Sequence, residues 1–268
     1  MAEDGQRGRD VDGRRQRILD YLQRETSAQV IELAERFGVS RMTVHRDLDV
    51  LSEQGFVLKV HGGARAAPLK RVETDYAQRS LTATAEKRAI ARAAAALVQP
   101  DQVVAIDDSS TGALLAGTLA GTLGEGGRLT VITNGLGAIE RLQHEPAITV
   151  IGLGGSYLPH YHGFFGTLSE QNLRHLRADM VFISAQTIWQ DAIFHPEEVI
   201  ARNQRALLAV AERRVLLADN RKFGAPALHR VAALAEFDVV VTDAGLGAAE
   251  LALLRDGDRE IVVADLES

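Results

Sequence analysis

From Thr84 onward, short apolar runs alternate with helical patterns, and this alternation limits the fold more than any other feature. Runs such as "QVVAID", "LTVITN", "DMVFISA" and "FDVVVTD" are almost continuously apolar and are separated by segments with helical spacing. Strands that are apolar on both faces need helices on both faces, as in parallel sheets. The pattern therefore predicts an α/β fold with a mostly parallel sheet over residues 84–268.

Residues 14–67 follow a different pattern, with three short helices and a hairpin. The helices are predicted over Arg14–Arg24, over Val30–Phe37, and from a cap at Ser40 to a stop at Gly55. The run "FVLKVHGGARA" then alternates like two short strands joined at Gly62–Gly63. This order is typical of an N-terminal winged helix-turn-helix, whose third helix suits the major groove of DNA.

The third helix of this module has an apolar inner stripe and a polar outer face. The inner stripe is Val44, Leu48 and Leu51. On the outer face, Arg46 can fork onto a guanine, pair with Asp49, or bind a phosphate. We expect DNA contacts from Ser40, Arg41, Met42, Thr43, His45 and Arg46 on the helix, and from Lys59 and His61 on the wing. Small three-helix modules also serve protein contacts, which is the alternative interpretation.

The charge distribution separates the two parts of the chain. Residues 14–67 carry nine Lys and Arg against seven Asp and Glu, residues 68–268 carry 19 against 25, and the whole chain has a net charge of −6. Any phosphate contact must therefore come from locally placed arginines. Residues 1–13 are interpreted as a disordered tail and residues 68–83 as a linker.

Cysteine is absent, which excludes disulfides, thiolate metal sites and a cysteine nucleophile, and suits a reducing compartment. The first residues, "MAEDGQRGRDVDGRR", lack an apolar run, and no later run approaches the roughly 20 residues that span a bilayer. We expect a cytoplasmic protein without a membrane partner.

Polar residues and glycines follow six predicted strands, in "DDSSTG", "TNG", "GLGG", "SAQT", "DNRKFG" and "TDAG". In open α/β sheets, ligands bind beyond the carboxyl ends of the strands. Ser109–Thr111 opens a helix, where free N–H groups and the helix dipole favour an anion such as phosphate. Lys222 either neutralises that phosphate or bonds a sugar oxygen; the alternative is a solvated loop residue.

No motif in the body requires catalysis. Asp107 and Asp108 are adjacent at a strand end, so their side chains tend to point to opposite sides. His160 and His162 are two residues apart like a metal pair, but no third ligand has convincing spacing nearby. "GLGG" lacks the full dinucleotide fingerprint. We expect no catalytic residue, no metal and no cofactor.

These residues resemble the DeoR family of bacterial sugar-metabolism regulators from about Arg14 to Leu266. The N-terminal likeness rests on "RRQRILDYL" and "VIELAERFGVSRMTVHRDLDVLSEQGFVLKVHGGA". The likeness of the body rests on "EKRAIARAAAALV", "IDDSSTGALLA", "VITNGL", "IGLGG", "FFG" and "LLADNRKFG". The resemblance implies a transcription factor, commonly a repressor, that binds double-stranded operator DNA as a homo-oligomer, a dimer or a tetramer.

The resemblance also implies an effector domain, residues 84–268, that is related to sugar-phosphate isomerases but works as a sensor of a phosphorylated sugar. Ser40–Asp49 would dock on DNA, and Asp107 would order the first loop of the effector site. The phosphosugar pocket would be lined by Ser109, Ser110, Thr111, Thr133, Asn134, Gly154, Gly155 and Lys222.

The sequence departs from the family pattern at three places. His45 stands where arginine is usual, so we expect a different operator preference. Asp108 and Ser109 take the middle of a loop that is usually Asp-Ser-Gly-(Ser/Thr)-Thr, which adds a negative charge. "QTIWQDAIFHPEE" lacks the expected glycines. The alternative function is a sugar-phosphate isomerase-like enzyme that uses the helical module for assembly.

Overall fold

The computed structural model of the chain describes residues 14, 15, 17, 18, 21, 22, 25–53, 57–66, 75–124, 126–224 and 227–266. The chain divides into two compact units, Met1–Val72 and Glu73–Ser268. The predicted tail, the predicted helix stop at Gly55 and residues 68–74 of the predicted linker lie outside the described residues.

The first unit has the predicted winged helix-turn-helix order. Residues 14, 15, 17, 18, 21, 22 and 25 are helical. The elements that follow are β1 (Ser27–Gln29), α1 (Val30–Phe37), α2 (Arg41–Glu53), β2 (Val57–Val60) and β3 (Gly63–Ala66). Gly38 ends α1 in the left-handed region at φ 64°. The Ser40 hydroxyl accepts a hydrogen bond from the Thr43 N–H at 3.1 Å, which confirms the predicted cap of α2.

Strand β1 was not expected from the sequence. It pairs antiparallel with β3, so that the wing has three strands in the order β1-β3-β2. The tripeptide Ser-Ala-Gln has no strand signal of its own, and its conformation comes from pairing with residues far along the chain. At Gly63 a Cβ atom would lie 2.2 Å from the Ala28 carbonyl oxygen, so this close approach requires glycine.

The core of the first unit contains the predicted inner face of α2, because Val44, Leu48 and Leu51 are buried. Asp47, on the same helix, is also buried. Its carboxylate accepts hydrogen bonds from Arg14 Nε at 2.7 Å and Arg15 Nε at 3.0 Å. The ion pairs hold α2 against the N-terminal helical residues.

The second unit is built around a parallel sheet. The described helices are α3 (Tyr76–Leu81), α4 (Thr84–Ala95), α5 (Ser110–Leu119), α6 (Leu136–Leu142), α7 (Thr167–Leu173), α8 (Glu198–Ala209) and α9 (Ala248–Arg255). The first strands are β4 (Val103–Ile106), β5 (Leu129–Thr133), β6 (Ile148–Gly152), β7 (Ser156–Leu158), β8 (Gly163–Phe165) and β9 (Ala178–Ser184). The last are β10 (Thr187–Trp189), β11 (Ala192–His195), β12 (Ala211–Leu217), β13 (His229–Ala233), β14 (Val239–Asp243) and β15 (Glu260–Ala264).

The central sheet has seven strands in the order β15-β14-β12-β9-β4-β5-β6, and each of these pairings is parallel. One apolar cluster joins one face of the sheet to α4, α5 and α6. A second cluster joins the other face to α7, α8, α9 and the antiparallel sheet β10-β11-β13. The predicted α/β fold with helices on both faces is confirmed, and the carboxyl ends of the strands share one edge.

Three features of this unit did not show in the sequence pattern. The segment interpreted as a linker, residues 68–83, contains helix α3. Strands β7 and β8 form a hairpin, and β10 and β11 form another. The β10–β11 hairpin has no glycine in its turn, because Gln190 takes the left-handed region at φ 51°. Across the described part of the chain, none of the helices combines the length and apolarity that a membrane span needs.

Candidate DNA interface and effector site

The outer face of α2 carries the residues that were predicted to contact DNA. Arg41, His45 and Arg46 are exposed, and Met42 is 64% exposed. The half-buried Thr43 differs, since its hydroxyl lies 2.9 Å from that of Ser40 and helps to close the first turn. The helix therefore presents two guanidinium groups, an imidazole and a thioether on one surface, a set that suits base edges and phosphates.

The wing is joined to α2 by an ion pair. Lys59 on β2 pairs with Asp49 on α2, and each side chain is 48% exposed. The sequence left open whether Asp49 would pair with Arg46, and the structure pairs it with Lys59 instead. His61 is exposed in the turn between β2 and β3, beside Gly62 at φ 76°. The wing residues thus lie at an exposed tip.

Asp107 follows the carboxyl end of β4, is buried, and accepts hydrogen bonds from three groups. Its carboxylate accepts bonds from the Ser109 N–H at 3.1 Å, the Ser184 N–H at 2.8 Å and Gln204 Nε2 at 3.2 Å. Burial raises the pKa of Asp107, an effect that the bonds from Ser109 and Ser184 oppose. Asp107 therefore fastens the loop after β4 to the end of β9 and to α8.

The loop after β4 leads directly into the first turn of α5. Ser109 caps the helix, since its hydroxyl accepts a bond from the Gly112 N–H at 2.8 Å. Ser109, Ser110 and Thr111 are all buried at this end of the helix. The Ser110 hydroxyl lies 3.0 Å from Lys87 Nζ. A helix N-terminus and an ammonium group therefore converge at the first strand end.

Lys87, on α4, belongs to this cluster although the sequence did not single it out. It is 4% exposed, and its ammonium group also donates to the Arg79 carbonyl. Burial, and next the nearby charge of Lys222, lower the pKa of Lys87 to about 7. No local signal indicated this burial, because a lysine in "EKRAIARA" normally projects into solvent.

Lys222 is half-buried and follows β12 in a short turn, Asn220–Lys222. Arg221 in the same turn lies 3.9 Å from Glu86, the neighbour of Lys87 on α4. Asp243, fully buried at the end of β14, accepts bonds from the Asn220 N–H at 2.8 Å and Nδ2 at 2.6 Å. These contacts place the turn beside α4, so two lysines lie near the same strand ends.

A second group of predicted residues lies at the end of β5. The Thr133 hydroxyl accepts a bond from the Gly135 N–H at 3.0 Å. Asn134 is completely buried, and its Nδ2 donates to the Phe164 carbonyl at 3.2 Å and lies 3.5 Å from Asp108 Oδ1. Asn134 Oδ1 has no hydrogen-bond partner among the described residues. Asn134 thus joins this group to the loop after β4.

Gly154 and Gly155 follow β6, and Gly155 approaches the β7–β8 hairpin. Both take positive φ values, 64° and 119°. A Cβ atom at Gly155 would lie 2.5 Å from the Phe165 carbonyl oxygen, whereas one at Gly154 would meet nothing within 4 Å. Gly155 therefore adjoins the hairpin that is hydrogen-bonded to Asn134.

The two histidines considered as a metal pair have other partners. His162 lies 3.0 Å from the Tyr157 hydroxyl and 3.2 Å from Glu140, and His160 lies 3.9 Å from Asp75. In the parts of the chain that the structure describes, no three His, Asp or Glu side chains form a group that could hold a metal ion.

The comparisons with known proteins match both units. Residues 14–68 match the DeoR-like helix-turn-helix domain, and residues 82–244 match the DeoR C terminal sensor domain. The chain is 29% identical over 253 residues to the putative aga operon transcriptional repressor of Escherichia coli O157:H7, covering 93% of each chain. It is 30% identical over 230 residues to the L-fucose operon activator of Haemophilus influenzae, covering 85% of this chain and 90% of that one.

Among solved structures, ribose 5-phosphate isomerase A from Neisseria gonorrhoeae matches with a TM-score of 0.38 and 15% identity. That match covers 52% of this chain and 53% of the isomerase chain, and carries no conclusion about activity. The two domain matches and the full-length relatives agree, and the relatives are named as transcriptional regulators. The chain therefore belongs to the DeoR family, as a DNA-binding transcriptional regulator.

Proposed function

We propose that this regulator controls carbohydrate genes through a phosphorylated sugar bound at the carboxyl edge of the second unit.

 The observation that carries the proposal is the convergence of Lys87 and Ser110 at the first turn of α5. Lys87 Nζ is buried 3.0 Å from the Ser110 hydroxyl, and Lys222 lies close enough to lower its pKa. Two lysines beside a helix N-terminus suit a phosphate dianion, whose charge would favour the protonated form of Lys87.

The sugar would extend from this phosphate toward Asn134. The buried Oδ1 of Asn134, which has no partner in the described part of the chain, is a hydrogen-bond acceptor for a sugar hydroxyl. Asp108, 5% exposed and 3.5 Å from Asn134 Nδ2, adds a carboxylate that accepts further hydroxyl donors. In this proposal, the phosphate lies at the lysine end and the polyhydroxyl chain at the asparagine end.

The alternative, a sugar-phosphate isomerase, needs a carboxylate that is free to move a proton. Asp107 does not suit that role, because its oxygens already accept bonds from Ser109, Ser184 and Gln204. We therefore favour a sensor over an enzyme. The outward-facing Arg41, His45 and Arg46 would contact the operator, with Lys59 and His61 on the flanking backbone or in the minor groove.

We propose repression as the mode of action and a homo-oligomer as the DNA-binding form. One relative is named a repressor and another an activator. A repressor that leaves its operator when the effector binds fits a sensor of a sugar phosphate. The genes would then be transcribed when their substrate accumulates. Two helix-turn-helix units of an oligomer would bind the two halves of an operator.

The test begins by capturing genomic fragments on the purified protein and measuring their release by a panel of aldose and ketose phosphates. One phosphosugar should change fragment retention, and its unphosphorylated parent sugar should not. Lys222→Ala should abolish this response while leaving DNA binding intact, and Arg174→Ala, an exposed substitution in the same unit, should have no effect. A parent sugar that acts as well as its phosphate would exclude the phosphate site.

A further inference from the structure

Helix α3 is the first described element of the second unit, so the chain reaches the DNA-binding unit through the residues that precede it. None of its six residues is buried. Its position therefore depends on a few polar and aromatic contacts rather than on a core, and such elements are readily shifted. These contacts connect α3 with the group around Lys87 and Ser110 and with the group around Asn134.

The first connection runs through Lys87. Its ammonium group donates to the Arg79 carbonyl of α3 and lies 3.0 Å from the Ser110 hydroxyl of α5. One buried side chain thus holds both α3 and the first turn of the helix that forms the anion site.

The second connection runs through the β7–β8 hairpin. The Tyr76 N–H donates to the His160 carbonyl at 2.9 Å, and the Tyr76 ring stacks on His162 with 4.7 Å between ring centroids. The Arg79 guanidinium lies 5.7 Å from the Tyr76 ring and 5.8 Å from the Tyr161 ring. Helix α3 is therefore docked on the hairpin at its first residue and again one turn later.

The hairpin is in turn bonded to the loop that contains Asn134. The Phe164 N–H donates to the Asn134 carbonyl at 2.8 Å, and Asn134 Nδ2 donates back to the Phe164 carbonyl at 3.2 Å. The Leu136 N–H donates to the His162 carbonyl at 2.9 Å. His162, which stacks on Tyr76, is thus held by the strand end that would bind the sugar.

We infer that α3 is the element that transmits effector binding to the DNA-binding unit, because an anion held by Lys87 and the first turn of α5 strengthens the docking of α3. This inference rests on the proposed phosphate site and adds the route of regulation. Since α3 has contacts with both ends of the site, both ends of the ligand would act on it.

The chemistry of Lys87 gives the direction of the effect. An ammonium group has three donors, and two are used by Arg79 and Ser110, so one remains for an anion. With a pKa of about 7, Lys87 is partly neutral at neutral pH. A bound anion favours the charged form, and charged donors make stronger hydrogen bonds. The bond to the Arg79 carbonyl is therefore stronger in the bound state.

Hydrogen exchange of the full-length protein, with inorganic phosphate as the probe and chloride at matched ionic strength as the control, tests the inference. We expect phosphate to slow exchange at the loop of Ser109–Thr111 and, by about fivefold, at the amides of α3. Protection of the loop without protection of α3 would overturn the inference while leaving the phosphate site intact. Protection at neither place would overturn both.

Variants on the two sides of the α3 contact separate binding from transmission. In Tyr76→Ala, and independently in Gly137→Ala, whose new Cβ would lie 2.1 Å from the Tyr76 hydroxyl, phosphate should still protect the loop. The phosphosugar that acts on the parent protein should no longer change DNA affinity in either variant. Leu81→Ala, at a position of α3 that is 74% exposed, is the matched control and should respond normally. A normal response in both contact variants would refute transmission through α3.

Discussion

Asp49 of α2 and Lys59 of β2 form an ion pair that joins the helix expected in the major groove to the wing. Both side chains are about half exposed, so the pair contributes less than about 1 kcal/mol to folding. We expect a larger effect on DNA binding, because Asp49 would place a carboxylate beside the expected phosphates and already pairs with Lys59.

Replacing Asp49 with Ala should strengthen DNA binding at low salt and steepen its salt dependence, because Lys59 is released to bind a phosphate. The slope of log K against log salt should increase by about one. Fluorescence anisotropy with a captured operator fragment measures both quantities. The double variant Asp49→Ala/Lys59→Ala should return the slope to its original value, and a slope that stays steep in the double variant would contradict this explanation.

Replacing Arg46 with Ala should weaken operator binding by about 1–3 kcal/mol, because an exposed guanidinium on α2 is lost. If Arg46 contacts a base edge, its loss should also relax sequence preference at one operator position. If it contacts a phosphate, its loss should weaken binding to all fragments alike. Binding to a library of operator variants distinguishes the two. Arg174→Ala in the second unit serves as the control, and equal losses in both variants would point to general electrostatics.

The stability of the protein should rise with pH above about 7, because Lys87 has a folded-state pKa of about 7, well below its ordinary value. Above that pH the unfolded chain holds a proton that the folded protein has lost, so the unfolding free energy increases with pH. Urea unfolding of the parent protein and of Lys87→Met from about pH 6 to about pH 9 measures this difference. The advantage of the methionine variant should shrink as the pH rises, and parallel curves would show that Lys87 does not titrate in this range.

Binding of a phosphorylated ligand should take up a proton above about pH 7, because the anion favours charged Lys87. Calorimetry in two buffers with different ionisation enthalpies reveals this uptake. In Lys87→Met any remaining binding should show none of it, whereas equal proton uptake in both proteins would assign the proton to the ligand.

Two adjacent glycines should differ in their tolerance of a side chain. Gly154→Ala should cost about 1 kcal/mol, the strain of a left-handed residue, because its Cβ would meet nothing within 4 Å. Gly155→Ala should cost clearly more, since its Cβ would lie 2.5 Å from the Phe165 carbonyl oxygen. Denaturant unfolding of the two variants measures the difference in unfolding free energy. Equal losses of stability would mean that the β7–β8 hairpin shifts at little cost to accommodate the new Cβ atom.

Asp243→Ala should weaken effector binding without weakening DNA binding, because the carboxylate that holds Asn220 and the turn bearing Lys222 is removed. Because the lost bonds are buried, the variant should also lose about 2 kcal/mol of stability. Phosphosugar titration of the variant at a temperature where it remains folded measures the effect on Lys222. If its ligand affinity were unchanged, the turn would be held by other contacts.

The sequence predicted the elements whose signals are local. Helix α1 was predicted with its observed bounds, since apolar spacing and Gly38 mark both the buried face and the end. The sequence pattern did not predict β1 and α3, which are three and six residues long and depend on partners distant in the chain. Buried Lys87 was missed for the same reason, because it is enclosed by contacts of α4 with α3 and α5 that no local pattern shows. The roles of the predicted binding residues stay predictions.

Asp47 is anchored inside the first unit by Arg14 and Arg15, while Arg41, Met42, His45 and Arg46 carry none of the core. The rotation of α2 is therefore set by side chains other than those that would read a sequence. We expect that substitutions on the outer face change operator preference while the stability of the unit stays nearly constant. This separation makes the module a scaffold on which new DNA specificities can be selected from a library of four randomised positions.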